Sequence, residues 1–128
     1  MGDKMKKLLI VLLLVFALYG CSATSSGPQK ITAAEGKEMM DADASIILVD
    51  VRTESEYDSG HIAGAVLLPL DLIESQAKTI LPDKNSVIIV YCRSGNRSAQ
   101  AVSILNDMGY KNLYDMGGII DWPYGTVY

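Results

Sequence analysis

The chain has 128 residues, 49% of them hydrophobic and 20% charged, with a formal net charge of −4. That length accommodates one domain at most. The acidic balance and the lack of a basic stripe argue against nucleic-acid binding, and two cysteines with a single histidine are too few for a zinc site.

Residues 8–19 form an unbroken apolar run preceded by Lys4, Lys6 and Lys7. A spanning helix needs about 20 such residues, so this run has the length of the apolar region of a signal peptide, opening at Met1 or Met5. Leu18-Tyr19-Gly20-Cys21 closes the run and resembles the bacterial lipobox, although Tyr19 is larger than the residue usual there. The resemblance implies cleavage before Cys21 and a lipid on that cysteine; an ordinary signal peptide or an uncleaved anchor is the alternative. The expected organisation is a signal peptide over 1–20, lipidated Cys21 with a flexible tether to residue 29, and a domain over 30–128 held outside the cytoplasm by its lipid, on the periplasmic side or at the cell surface. Removing residues 1–20 takes away Lys4, Lys6, Lys7 and Asp3, so the remainder is more acidic than the whole. With Cys21 lipidated, Cys92 is the one free thiol and no intramolecular disulfide can form.

In chain order, Lys30 and Ile31 read as a short edge strand. Thr32-Ala33-Ala34-Glu35 is a capping box opening a helix with Met39 and Met40 on its apolar side. Residues 45–51 form a continuous apolar strand ending in charge. Thr53-Glu54-Ser55-Glu56 repeats the capping box before a short helix that Gly60 ends. Residues 65–68 make a third strand before Pro69. Asp71 is expected to cap a helix carrying Leu72, Ile73, Ala77 and Ile80, closed by Pro82-Asp83-Lys84-Asn85. Residues 86–91, β-branched and uncharged, are a buried strand. After the polar stretch 92–98, Ala101, Val102, Leu105 and Met108 recur at helical spacing and Gly109 ends that helix. A last strand lies around 112–115, Gly117-Gly118 turns the chain, and a short helical stretch contains Trp122. Apolar strands without alternation, interleaved with helices, predict an α/β fold: a small, mainly parallel five-stranded sheet covered on both faces. Ligands bind such sheets at the carboxyl ends of the strands, where Asp50 and Cys92 both lie.

Cys92-Arg93-Ser94-Gly95-Asn96-Arg97-Ser98 carries the chemistry. A lone cysteine at a strand end is commonly a small buried apolar residue. Here it opens a tight loop leading into a helix, where free N–H groups, the helix dipole and two arginines favour an anion and a thiolate, lowering a thiol pKa from about 8.5 to roughly 3.5–7.5.

Four separated motifs then resemble the rhodanese homology domain over about residues 30–128: Asp50-Val51-Arg52 with Glu56-Tyr57; residues 60–65 with Pro69; Cys92 to Ser98; and Gly117-Gly118-Ile119 with Trp122 and Gly125. The match implies a single-domain rhodanese. It further implies a sulfurtransferase in which Cys92 takes the sulfane sulfur of thiosulfate or a similar small anionic donor as a persulfide and passes it to cyanide or a thiol. On that resemblance the amides of Arg93, Ser94, Gly95, Asn96, Arg97 and Ser98 cradle the persulfide, and Arg93 and Arg97 hold the donor's sulfonate. Asp50 and Arg52 are expected to support the loop as an ion pair rather than to react. His61 is expected to pack loops rather than to act as a base, and no cofactor or metal is called for. A persulfide carrier or protein-binding module working with a thiol-redox partner is the alternative. A phosphatase or arsenate reductase of the same fold is disfavoured, because the loop runs Cys-x4-Arg and those enzymes carry Cys-x5-Arg.

Overall fold

The computed structural model describes residues 27–128; the apolar segment, Cys21 and most of the expected tether lie outside the described residues. Strands β1 (Gln29–Lys30), β2 (Ile47–Asp50), β3 (Val66–Leu67), β4 (Val87–Cys92) and β5 (Asn112–Gly118) form a five-stranded sheet in the order β1-β5-β4-β2-β3. Every pairing is parallel. Helices α1 (Ala33–Ala42), α2 (Glu54–Asp58), α3 (Ile73–Ile80) and α4 (Asn96–Asp107) lie in the connections.

β4 is central, and its residues divide alternately between two cores. Ile88, Val90 and Cys92 join Val49, Ile73, Ala77, Ala101, Val102 and Leu105 on one face. Ile89 and Tyr91 join Leu48, Ile62 and Met116 on the other. With both faces covered, the strand needs no polar alternation. Each fully buried Ile or Val is worth about 1.5–3 kcal/mol.

Both capping boxes form. The Thr32 hydroxyl accepts from the Glu35 amide at 3.1 Å while the Glu35 carboxylate accepts from the Thr32 amide at 3.2 Å. Thr53 and Glu56 make the same exchange at 3.2 Å each way. A cap of this kind contributes about 1 kcal/mol.

Three expectations need correction. Asp71 caps no helix: it lies within a 3-10 turn, Leu70–Leu72, and Leu72 stands at the N-cap of α3 without a side-chain cap. The winding begins one turn earlier because Pro69 presets its backbone and its carbonyl accepts from Leu72 N at 2.9 Å. Gly117 and Gly118 do not turn the chain; they are the last residues of β5, paired with Tyr91 and Cys92 after a bulge that skips Met116. Trp122 follows a 3-10 turn, Ile119–Asp121, rather than lying inside it.

Candidate active site

The C-terminal ends of β2 and β4 are adjacent, with Asp50 in register with Tyr91. Cys92, the last residue of β4, is buried. The loop after it is short because Gly95 takes a left-handed conformation (φ +106°), which an L side chain would resist, and there starts α4. No side chain caps this helix. Instead the Cys92 sulfur accepts from the Gly95 amide at 3.0 Å. The Cys92 thiol itself thus occupies the place of an anion at the helix start.

Burial pushes the Cys92 thiol up, but hydrogen bonds from the Ser98 amide and hydroxyl and from the Gly95 and Ser94 amides outweigh it and hold the thiol below its ordinary value. The larger lowering contributions therefore come from the loop rather than from free arginine charge. Arg97 is engaged elsewhere: its guanidinium makes a two-pronged pair with the Glu56 carboxylate, at 2.7 and 2.9 Å. That pairing holds Glu56 at about 2, against an ordinary 4.5. Arg93 is exposed, and among the described residues no carboxylate pairs with it. It borders a cleft of about 410 Å³ between the loop, Arg52, Glu56 and the Ile119–Ile120 edge.

The loop is held from beneath by β5. A side chain at Gly118 would run into the Arg93 carbonyl and come within 2.7 Å of the Ser94 Cα. The Arg93 carbonyl also accepts from the Ile120 amide at 3.3 Å. Ser94 and Asn96 are exposed, whereas Ser98 is fully buried. The Ser98 hydroxyl lies 3.0 Å from the Gly95 carbonyl and 2.7 Å from the Asp115 carboxylate, which also accepts from the Gly117 amide at 2.9 Å.

Asp50 and Arg52 come together as expected, in a fully bonded network. Asp50 Oδ1 accepts from the Arg52 amide at 2.9 Å. Asp50 Oδ2 accepts from Arg52 Nη2 and from the Tyr91 hydroxyl, each at 2.8 Å. Arg52 Nη2 continues to the Gly60 carbonyl at 2.7 Å, and Tyr91 accepts from the Ile62 amide at 3.1 Å. Burial, together with the Asp50 charge, pushes the Tyr91 phenol well above its ordinary value, so it stays protonated as the donor. His61 stacks on Tyr57 with ring centroids 3.6 Å apart, and its Nδ1 lies 2.9 Å from the Tyr57 carbonyl. A carbonyl only accepts, so Nδ1 carries a proton there. His61 also bridges to Val127 through its backbone.

Sequence reasoning did not single out Asp115 or the pairing of Glu56 with Arg97. A lone aspartate inside an apolar strand was the available signal for the first. The second had none, because its partners are 41 residues apart. Among the described residues no group of three or more His, Cys, Asp and Glu side chains is placed to hold a metal ion.

The profile of the rhodanese-like domain matches residues 32–123. The thiosulfate sulfurtransferase PspE of Escherichia coli is 40% identical over 73 residues, 57% of this chain and 70% of that protein. The putative sulfurtransferase YtwF of Bacillus subtilis is 35% identical over 98 residues, 77% of this chain and 93% of that protein. Among solved structures, a rhodanese with anions from E. coli superposes with a TM-score of 0.60 at 36% identity, covering 64% of this chain and 96% of the other. A thiol that accepts from a loop amide at the end of the central strand, on a parallel five-stranded sheet, agrees with those similarities: the chain belongs to the rhodanese-like domain family.

Proposed function

We propose that the protein is a sulfurtransferase that moves sulfane sulfur from thiosulfate, or a donor of the same anionic type, to a thiol or cyanide. The observation that carries this reading is the Cys92 sulfur receiving the Gly95 amide at the uncapped start of α4. In the first step the Cys92 thiolate attacks the outer sulfur of the donor. A new S–S bond forms on Cys92, the donor's own S–S bond breaks, and sulfite leaves with the electron pair. The loop amides face the charge that remains on the terminal sulfur. Arg93, the arginine of the loop without a carboxylate partner, is free to meet the oxygens of the donor and of departing sulfite. In the second step an acceptor attacks the outer sulfur and the Cys92 thiolate departs, giving thiocyanate from cyanide or a persulfide from a thiol. No base is needed, since the thiol is already held toward its ionised form.

Intact mass before and after thiosulfate tests this. Gain of one sulfur on the wild type and none on Cys92→Ser, with the sulfur lost to cyanide as thiocyanate, is the expected result. An adduct that no small acceptor removes turns the reading toward a carrier serving a thiol-redox protein. Hydrolysis of a phosphate ester without sulfur uptake turns it toward a phosphatase. We also infer that the domain works outside the cytoplasm on a lipid carried by Cys21, supported by the apolar run 8–19 and the lipobox-like residues that close it. Cys21→Ala is expected to release the protein from membranes with its activity intact; continued membrane association indicates an uncleaved anchor.

A further inference from the structure

Thiosulfate and cyanide fill only part of the cleft beside the Cys92 loop. At about 410 Å³ it is far larger than either, and sites for organic molecules begin at about 300 Å³. One of its walls is apolar. Ile119 and Ile120 form it, and Ile120 is 65% exposed, although a small inorganic anion gains nothing from such a surface. Arg93 stands on the same rim and is exposed as well. The Arg93 carbonyl accepts from the Ile120 amide at 3.3 Å, so a backbone bond sets the cation beside the apolar side chain.

The other charges at the cleft are already met. Arg52 is taken by Asp50 and the Gly60 carbonyl. Glu56 borders the cleft too, but Arg97 holds its carboxylate with two hydrogen bonds. Among the described residues Arg93 has no carboxylate pairing with it, so the cleft offers one open cation next to an apolar wall. We propose that this cleft is the acceptor site and that its acceptor is a small organic thiol bearing a carboxylate. The carboxylate meets Arg93 and the carbon chain lies on Ile120, which makes these two side chains specificity-determining. The inference rests on sulfur transfer through Cys92 and adds the class of the acceptor. Sulfite leaves before the acceptor enters, so Arg93 serves an anionic group of each in turn. The acceptor thiolate attacks the outer sulfur of the Cys92 persulfide. A new S–S bond forms, the bond from that sulfur to Cys92 breaks, and the electron pair returns to Cys92 as thiolate. The acceptor's thiol proton goes to water, and the product is an organic persulfide with the same carboxylate.

The full chain carrying Cys21→Ser is loaded with thiosulfate and freed of excess. Its loss of sulfur to 3-mercaptopropionate and to 2-mercaptoethanol, at equal thiolate concentration, is then followed by intact mass. The carboxylate thiol is expected to discharge it about tenfold faster, with the preference removed by Arg93→Gln and largely kept by Arg93→Lys. Ile120→Ser is expected to raise the 3-mercaptopropionate concentration for half-maximal rate about threefold, with discharge by cyanide unchanged. Equal rates for the two thiols, or a preference that survives Arg93→Gln, overturn the inference. So does an Ile120→Ser variant that behaves like the parent, or a persulfide that neither thiol discharges, which points to a protein acceptor. Alkylation of Cys92 by iodoacetate and iodoacetamide reads the same site without sulfur. The ratio of the two rates is expected to exceed that of free N-acetylcysteine and to fall about fivefold in Arg93→Gln. A ratio no higher than that of the free thiol overturns the inference, even in a chain that transfers sulfur. A raised ratio that depends on Arg93, in a chain that takes up no sulfur, supports the carboxylate site and counts against the sulfur-transfer reading alone.

Discussion

Two adjacent strand ends carry polar clusters of opposite character. At the end of β2, Asp50 is saturated by Arg52 and by the Tyr91 hydroxyl, and Arg52 is bonded onward to the Gly60 carbonyl. At the end of β4, the Cys92 sulfur accepts from the Gly95 amide at 3.0 Å, at a helix start that no side chain caps. A closed network stabilises and specifies a loop conformation. An open one keeps hydrogen-bonding capacity for charge that appears only during reaction. On the proposed sulfur-transfer reading, the difference separates scaffold from chemistry, although Asp50 and Cys92 are both buried.

The contrast breaks most visibly at Asp50. Asp50→Ala leaves Arg52 buried and unpaired and strips the Tyr91 hydroxyl of its acceptor, so a loss of about 3–5 kcal/mol in urea unfolding is expected. A loss under about 1 kcal/mol would mean that the closed cluster is not what holds the fold here. Gly118→Ala tests the open cluster from beneath. The added methyl meets the Arg93 carbonyl and the Ser94 Cα, and the loop must shift. About 1–3 kcal/mol of destabilisation is expected, together with a higher midpoint for Cys92 alkylation, because the amides no longer converge on the sulfur. Destabilisation with an unmoved alkylation profile would detach the loop's geometry from its electrostatics.

Arg97→Ala sharpens the division between local amides and full charges. Since this guanidinium is paired with Glu56, its removal is expected to raise the Cys92 midpoint only slightly and to cost about 1 kcal/mol of stability. A large rise would restore arginine charge as the principal cause. The smallest effect lies in acid. Glu56 titrates at about 2 in the fold against an ordinary 4.5, so the folded state binds its proton less readily than the unfolded chain does. The pair therefore contributes fully above about 4.5, and its contribution is lost as pH falls from there toward 2. With both side chains about 30% exposed, roughly 1 kcal/mol or less is at stake. Glu56→Gln should flatten that segment of the stability–pH curve, and an unchanged slope would assign it to other carboxylates.

What was legible in the sequence was mostly what is local. Thr32 with Glu35 and Thr53 with Glu56 announce two helix starts because both partners of each box lie within one turn. The apolar runs announce buried parallel strands because both faces are covered. Cys92 and its loop were legible because strand, glycine and helix follow one another directly. Asp71 was misread since the turn that Pro69 opens starts the winding before the residue that local capping picks out. Gly117-Gly118 was misread since a glycine pair ordinarily signals a turn, while here Gly118 answers a close approach by a loop some 25 residues earlier. The Tyr91–Asp50 and Arg97–Glu56 bonds span 41 residues each and leave no trace in spacing.

The order β1-β5-β4-β2-β3 has a consequence for how the molecule behaves among its neighbours. Among the described residues the longest strands, β4 and β5, are both interior, and each edge of the sheet is closed by a strand of two residues. Few unpaired ladder groups are then left for another chain to extend, which is how sheet proteins avoid edge-to-edge association. A sheet rich in Ile and Val can thereby be held at high local density without recruiting its own copies.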